Sequence, residues 1–294
     1  MKEKILSYLL PALLLFSSVA VFFKETSGSK SVAQLAGKDK VGLIKIYGII
    51  SVEPPRGASF VGLRGSDKWV QQLKFMRKER VKAVVLRINS PGGTIGACQE
   101  VVEEIEKIKK DGIPVVASLG DVAASGGYYI ASACDKIFLN PGTLTGSIGV
   151  MMGSSDWSEL MDKIGIKPEV IKSGKYKDMG AYYRELSEEE RKMIQSMIDG
   201  TFEQFLSIVS KGRKIPDEKL RPLAQGQVFT GEQAIKYGFA DKIGNMNSAI
   251  QEASSMAGIV GEPRVIESPD IFERFFSAVY DMPETLSDAL RKIW

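Results

Sequence analysis

Histidine is absent from the 294 residues of this chain. That excludes a Ser-His-Asp triad and every zinc site that depends on imidazole. Cysteine is nearly absent. Cys98 and Cys134 form no CxxC pair, so they supply neither a disulfide framework nor, unaided, a structural zinc site. Both read as small buried hydrophobes. A charge excess of either sign is also missing: 39 basic residues stand against 36 acidic ones, a net charge of +3. Such a balance leaves no electrostatic footprint for nucleic acid, no nucleic-acid motif is visible, and no cofactor or metal is called for. Internal repeats and low-complexity tracts are lacking. What remains is 44% hydrophobic and 26% charged, a composition suited to a globular protein with a sizeable core.

Charge is also missing from one long stretch near the start. "ILSYLLPALLLFSSVAVFF", residues 5–23, is 19 uncharged residues, roughly 28 Å as a helix at ~1.5 Å per residue and close to a ~30 Å hydrocarbon core. Lys2 and Lys4 precede it, while Lys24 and Glu25 cancel, which favours an N-terminus inside and the bulk outside. A cleaved signal peptide has a shorter apolar region and an A-x-A-like site, neither of which is found. The expectation is therefore a single-pass signal anchor over 1–24 in the cell membrane, with an extracytoplasmic folded domain. A polar, small-residue tether over 25–40 leads to a domain over 41–268. An amphipathic tail over 269–294, containing Ile271, Phe272, Phe275 and Phe276, suits a docked helix, a membrane-surface helix or a contact with a neighbour.

Between tether and tail, strand and helix patterns alternate. "VGLIKIYGII" (41–50), "VKAVVLRIN" (81–89), "IPVVASLG" (113–120) and "KIFLN" (136–140) are β-branched, apolar runs. Helical spacing fills 66–79 and 94–110, a short helix is expected over 125–133, and "SEEE" opens a long amphipathic helix over 187–212. "GQVFTGEQAIKYGFADKIG" (226–244) predicts a short strand, a Thr-Gly helix start and a stop at Gly238. The alternation predicts an α/β fold with a largely parallel sheet and ligands beyond the carboxyl ends of its strands. Both glycine-rich turns, "NSPGGT" and "AASGG", fall at such ends.

Ser125 lies in the second of these turns. A serine hydroxyl needs a base, and without histidine the bases available are carboxylates and lysines. A lysine serves only when neutral, which burial without a carboxylate partner favours. Gly126 follows Ser125 at a helix start, where backbone N–H groups are free to meet an oxyanion, and "NSPGG" (89–93) offers a second donor. Read alone, Ser125 is more often a packing or capping residue than a nucleophile, and the Gly-Gly turn more often a structural one than a donor. Lys172, Lys175 and Lys177 lie close together, and spacing alone excludes none of them as the base.

"RINSPGG" followed by "SLGDVAASGGYYIASACDKIFLNPGTLTGSIGV" resembles the signal peptide peptidase A family of membrane-bound serine proteases, over about residues 41–250. The stretch resembles the Clp protease and crotonase folds more distantly. The resemblance implies repeated β-β-α and βαβ units and a Ser–Lys dyad. Its nucleophile falls on Ser125 and its general base, in "KSGKYKD", on Lys177. A hydroxyl that orients the lysine falls on Ser147, and the oxyanion donors fall on the backbone of Gly93 and Gly126. A carboxylate from Asp178 turned onto Lys177 would oppose the base role. The family implies signal peptides and other apolar peptides as substrates and a homo-oligomeric ring as the assembly. An exposed strand edge around Val116 to Val122 is expected to take the substrate backbone. Two other readings are a crotonase-like acyl-CoA enzyme, which predicts a soluble protein without a role for Ser125 or Lys177, and an inactive membrane-anchored scaffold, which predicts a broken dyad.

Overall fold

A computed structural model describes residues 39–52 and 65–268. The expected membrane anchor, most of the tether and the C-terminal tail lie outside the described residues. Among the described residues, no helix is long and apolar enough to cross a membrane.

Among the described residues, eight strands form one sheet: β1 Lys40–Tyr47, β2 Ala83–Ser90, β3 Val115–Ala124, β4 Lys136–Leu139, β5 Leu144–Gly146, β6 Val228–Thr230, β7 Lys242–Ile243 and β8 Arg264–Glu267. The main path runs β6-β5-β3-β2-β1-β8, with β4 joining β3 to β7. Every pairing is parallel except β5 with β6. The helices are α1 Gly65–Lys78, α2 Ile95–Lys110, α3 Gly126–Ser132, α4 Ser158–Lys163, α5 Glu188–Arg213, α6 Asp217–Leu220, α7 Gly231–Lys236 and α8 Met246–Met256.

The apolar runs of β1 and β2 lack polar alternation because both sheet faces are covered. One face carries Ile44, Ile46, Val84, Leu86 and Ile88 against Trp69, Leu73 and Met76 of α1 and Val101, Ile105 and Ile108 of α2. The other carries Val41, Leu43, Val85 and Val116 against Ala249 and Ala253 of α8. Each fully buried Val, Leu or Ile contributes about 1.5–3 kcal/mol, which fixes the frame on which the turns stand. Tyr128 and Tyr129 of α3 belong to that frame. Both are buried, edge-on to Phe239 and Phe205, and the Tyr128 hydroxyl donates to the Phe239 carbonyl at 2.8 Å.

The expected free edge at Val116 to Val122 is not there. Val116–Ser118 pair with β2 on one side and with β4 on the other, and Val122 pairs with Leu144 of β5. A continuous apolar run is suited to a central strand rather than an edge, because side chains on both faces need cover.

Candidate active site

β3 is interrupted just before its end. Its register with β2 jumps from Ile88↔Leu119 to Ser90↔Ala123, so Asn89 stands opposite Gly120, Asp121 and Val122. The neighbour on its other side changes at the same place, from β4 to β5. The strand resumes for two residues and reaches Ser125, whose backbone turns to φ 50°, ψ −120° as α3 begins. A serine there is strained by about 1–3 kcal/mol. Two hydrogen bonds hold it: the Ser125 amide donates to Gly146 O at 2.8 Å, and Tyr129 N donates to Ser125 O at 2.8 Å. Ser147 follows Gly146, is itself at φ 49°, and donates its amide to Gln227 O at 2.8 Å. Two of the four described non-glycine residues with positive φ are thus Ser125 and Ser147, and one peptide carbonyl ties their turns together.

The second glycine turn packs against the first. Gly92, at φ 119°, has no room for a methyl group: a Cβ there would stand 2.7 Å from Ser125 Cβ, 3.0 Å from Gly126 N and 3.1 Å from Ser125 Oγ. A Cβ on Gly126 would stand 2.7 Å from Cys98 Sγ and 3.1 Å from Gly93 N. Gly93 is locked from the other side, where a Cβ would meet Ile50 O at 1.8 Å. The Ile50 amide donates to Gly92 O at 2.9 Å and the Ile50 carbonyl accepts from Thr94 N at 2.8 Å, which turns the peptide between them. Among the described residues, no hydrogen bond uses the Gly93 or Gly126 amide. Two backbone donors therefore lie unpartnered beside a strained serine, an arrangement able to hold a developing oxyanion.

Among the described residues, the three lysines share no hydrogen bond with this cluster. Lys177 is exposed, and its amide donates to Gly174 O at 3.4 Å. Among the described residues, no hydrogen bond or ion pair joins Lys177 to Ser125 or Ser147. Its neighbours are already committed. Lys172 pairs with Asp178 at 2.7 Å, and Lys175 pairs with Glu189, whose hydrogen bond raises the lysine pKa. Asp178 does not turn onto Lys177: its carboxylate accepts from Arg184, Lys172 and Tyr183, which hold it well below the usual range. Arg184 reaches on to Glu190 at 2.6 Å, and Glu190 with Ser187 closes the capping box of α5. Of the three lysines that the sequence left open, only Lys177 has no carboxylate partner among the described residues.

Sequence reasoning missed the polar side chains that shape the two turns. Ser90 Oγ is buried and accepts the Gly92 amide at 3.1 Å, and Thr145 Oγ1 donates to Ala123 O at 2.7 Å. The only signal for Ser90 was its place directly before Pro91 in "NSPGG".

The model of peptidase family S49 matches residues 107–260, more than half of the chain. This chain belongs to peptidase family S49. The Clp protease model also matches, over residues 61–142. The protease candidate slr0021 of Synechocystis sp. is 38% identical over 224 residues, 75% of this chain and 80% of that protein. The signal peptide peptidase candidate SppA of Enterococcus faecium is 40% identical over 185 residues, 63% of this chain and 54% of that one. The chloroplastic serine protease SPPA of Arabidopsis thaliana is 32% identical over 290 residues, 93% of this chain and 42% of that one. The chain thus spans about half the length of the latter two. Among solved structures, a mutant of the 1510-N membrane-bound stomatin-specific protease aligns with TM-score 0.52 at 17% identity, covering 79% of this chain and 99% of that one. That likeness shows the fold. As an S49 member the chain is a serine peptidase with a Clp protease-like α/β domain and a mostly parallel sheet.

Proposed function

We propose that this chain is a membrane-anchored serine endopeptidase that uses a Ser125–Lys177 dyad to hydrolyse residual signal peptides and other apolar peptides. The observation that carries the reading is Ser125 at φ 50°, beside the unpartnered amides of Gly93 and Gly126. In the proposed reaction, Ser125 Oγ attacks the scissile carbonyl and gives its proton to Lys177 Nζ. The oxyanion rests between the two glycine amides. The intermediate then expels the amine, which leaves with the proton from Lys177, and an acyl-enzyme remains. Water then attacks the acyl carbon and gives a proton to Lys177, the second intermediate expels Ser125 Oγ, which takes that proton back, and the acid product leaves. The Ser147 hydroxyl orients the lysine by accepting from its amine.

Lys177 suits the base role because its neighbours, not it, hold the nearby carboxylates. Lys177 is exposed and shares no hydrogen bond with Ser125 among the described residues of the single chain, so in the proposed reaction the 151–186 segment meets a nucleophile turn elsewhere. Exposed apolar residues on that segment, among them Met151 at 88% and Ile171 at 95%, favour a second copy as the place. The proposed assembly is therefore a homo-oligomer, in keeping with a ring. Membrane anchoring rests on residues 5–23, and the signal-peptide substrate on the name of the Enterococcus relative. S49 membership weighs against the acyl-CoA reading, and an intact set of dyad and donor positions weighs against the scaffold.

Residues 25–294, assayed on an apolar peptide, test the dyad. Ser125→Ala and Lys177→Ala are each expected to lower kcat by about 10³-fold or more. Wild-type activity in either variant sinks the assignment.

A further inference from the structure

We propose that Asn89 is a positioning residue that keys the oxyanion turn of β2 to the nucleophile turn of β3. The inference rests on the reading of Ser125 as nucleophile with Gly93 and Gly126 as donors. Those donors come from two different strands, Gly93 from the turn after β2 and Gly126 from the turn after β3. Their separation is therefore set by how the two strand ends register against each other. The ordinary ladder fails at that point, since Asn89 faces three residues of β3 where regular pairing would present one.

The side chain of Asn89 replaces the missing ladder. Its Oδ1 accepts from Asp121 N at 2.9 Å and from Val122 N at 3.1 Å, so the two amides of the bulge converge on one atom. Only an oxygen can accept both, which fixes the orientation of the amide. Its Nδ2 donates to Asp121 Oδ2 at 3.4 Å. Gly120 completes the fit: a Cβ there would stand 2.7 Å from Asn89 Oδ1. The next residue along, Ser90, pairs with Ala123 and accepts the Gly92 amide, so the chain passes directly from the Asn89 clasp into the oxyanion turn. Bulges beside active sites re-aim the residues that follow them. Here the bulge ends three residues before Ser125, and Asn89 holds it from the strand that carries Gly93.

A displacement of about 1 Å between catalytic groups lowers rates by about 10²-fold. Asn89→Ala is therefore expected to lower kcat by about 10²-fold while KM stays within about threefold, because the loss falls on the transition state rather than on substrate binding. Asn89→Asp keeps an oxygen for both amides and is expected to stay within about tenfold of wild type. Three results would overturn the inference: kcat within about threefold of wild type in Asn89→Ala, a raised KM with kcat unchanged, or an equal loss in Asn89→Asp. If circular dichroism finds Asn89→Ala unfolded, Asn89→Gln, whose acceptor is displaced by one methylene, takes its place under the same criteria. Ser125→Ala is run alongside. Activity surviving there would remove the underlying reading, whereas an inactive Ser125→Ala with an unaffected Asn89→Ala removes only this one.

Discussion

At Gly92 one added methyl group would press on three atoms at once: the Ser125 Cβ and Oγ and the Gly126 amide. Gly92→Ala is therefore expected to lower kcat by about 10²-fold or more, comparable to losing an oxyanion donor. Burst titration with an acylating ester checks whether the remaining rate comes from fewer competent sites or slower ones. Cys98 gives a complementary test beneath the same turn. Burial pushes its thiol up to about 12, so at neutral pH the thiolate is scarce. Native protein should resist iodoacetamide at Cys98, as read by mass spectrometry, and label only when unfolded. That the turns holding Ser125, Gly126 and Gly93 would lie together at strand ends was legible in the sequence, because both glycine-rich turns follow β-branched runs. Asn89 was not, since an asparagine at a strand end becomes a clasp only through the register of a strand 32 residues away.

The helices with chemical punctuation were the readable elements. "SEEE" predicted the start of α5, and Thr230 and Gly238 bracket α7 as expected. The break in β3, the small β5 and the outer strand β8 were not read, because their short stretches gain their stability from neighbours distant in sequence. The lysine segment is fastened to α5 by Arg184, which bridges Asp178 and Glu190. The Arg184 side chain, with the Ser187 amide, lowers the Glu190 carboxyl to about 2. The stabilisation is complete above the ordinary glutamate value of about 4.3 and is lost as pH falls through about 2. Hydrogen exchange between pH 5 and 2 should therefore find residues 172–190 loosening before the sheet. In Arg184→Ala the segment should already be loose at pH 5, with little further change on acidification.

For the whole molecule, the α/β alternation was legible and the strand order was not. Composition says that strands are buried, but which one lies beside which depends on crossovers that no local pattern records. The exposed apolar side chains of the 151–186 segment point outward from the fold, and self-association is the expected consequence. Sedimentation velocity on residues 25–294 should find an oligomer, and Ile171→Asp should shift it toward monomer with loss of activity. A monomeric, fully active wild type would remove the second copy from the reaction. The pairing of β1 with β8 sets a schedule for synthesis. Lys45 of β1 meets Glu267 of β8 across 222 residues, which a ribosome takes roughly 10–45 s to translate. For that interval the outer edge of β1 waits without its neighbour, so chains released before residue 264 should aggregate through that edge and depend on chaperones more than the finished protein does.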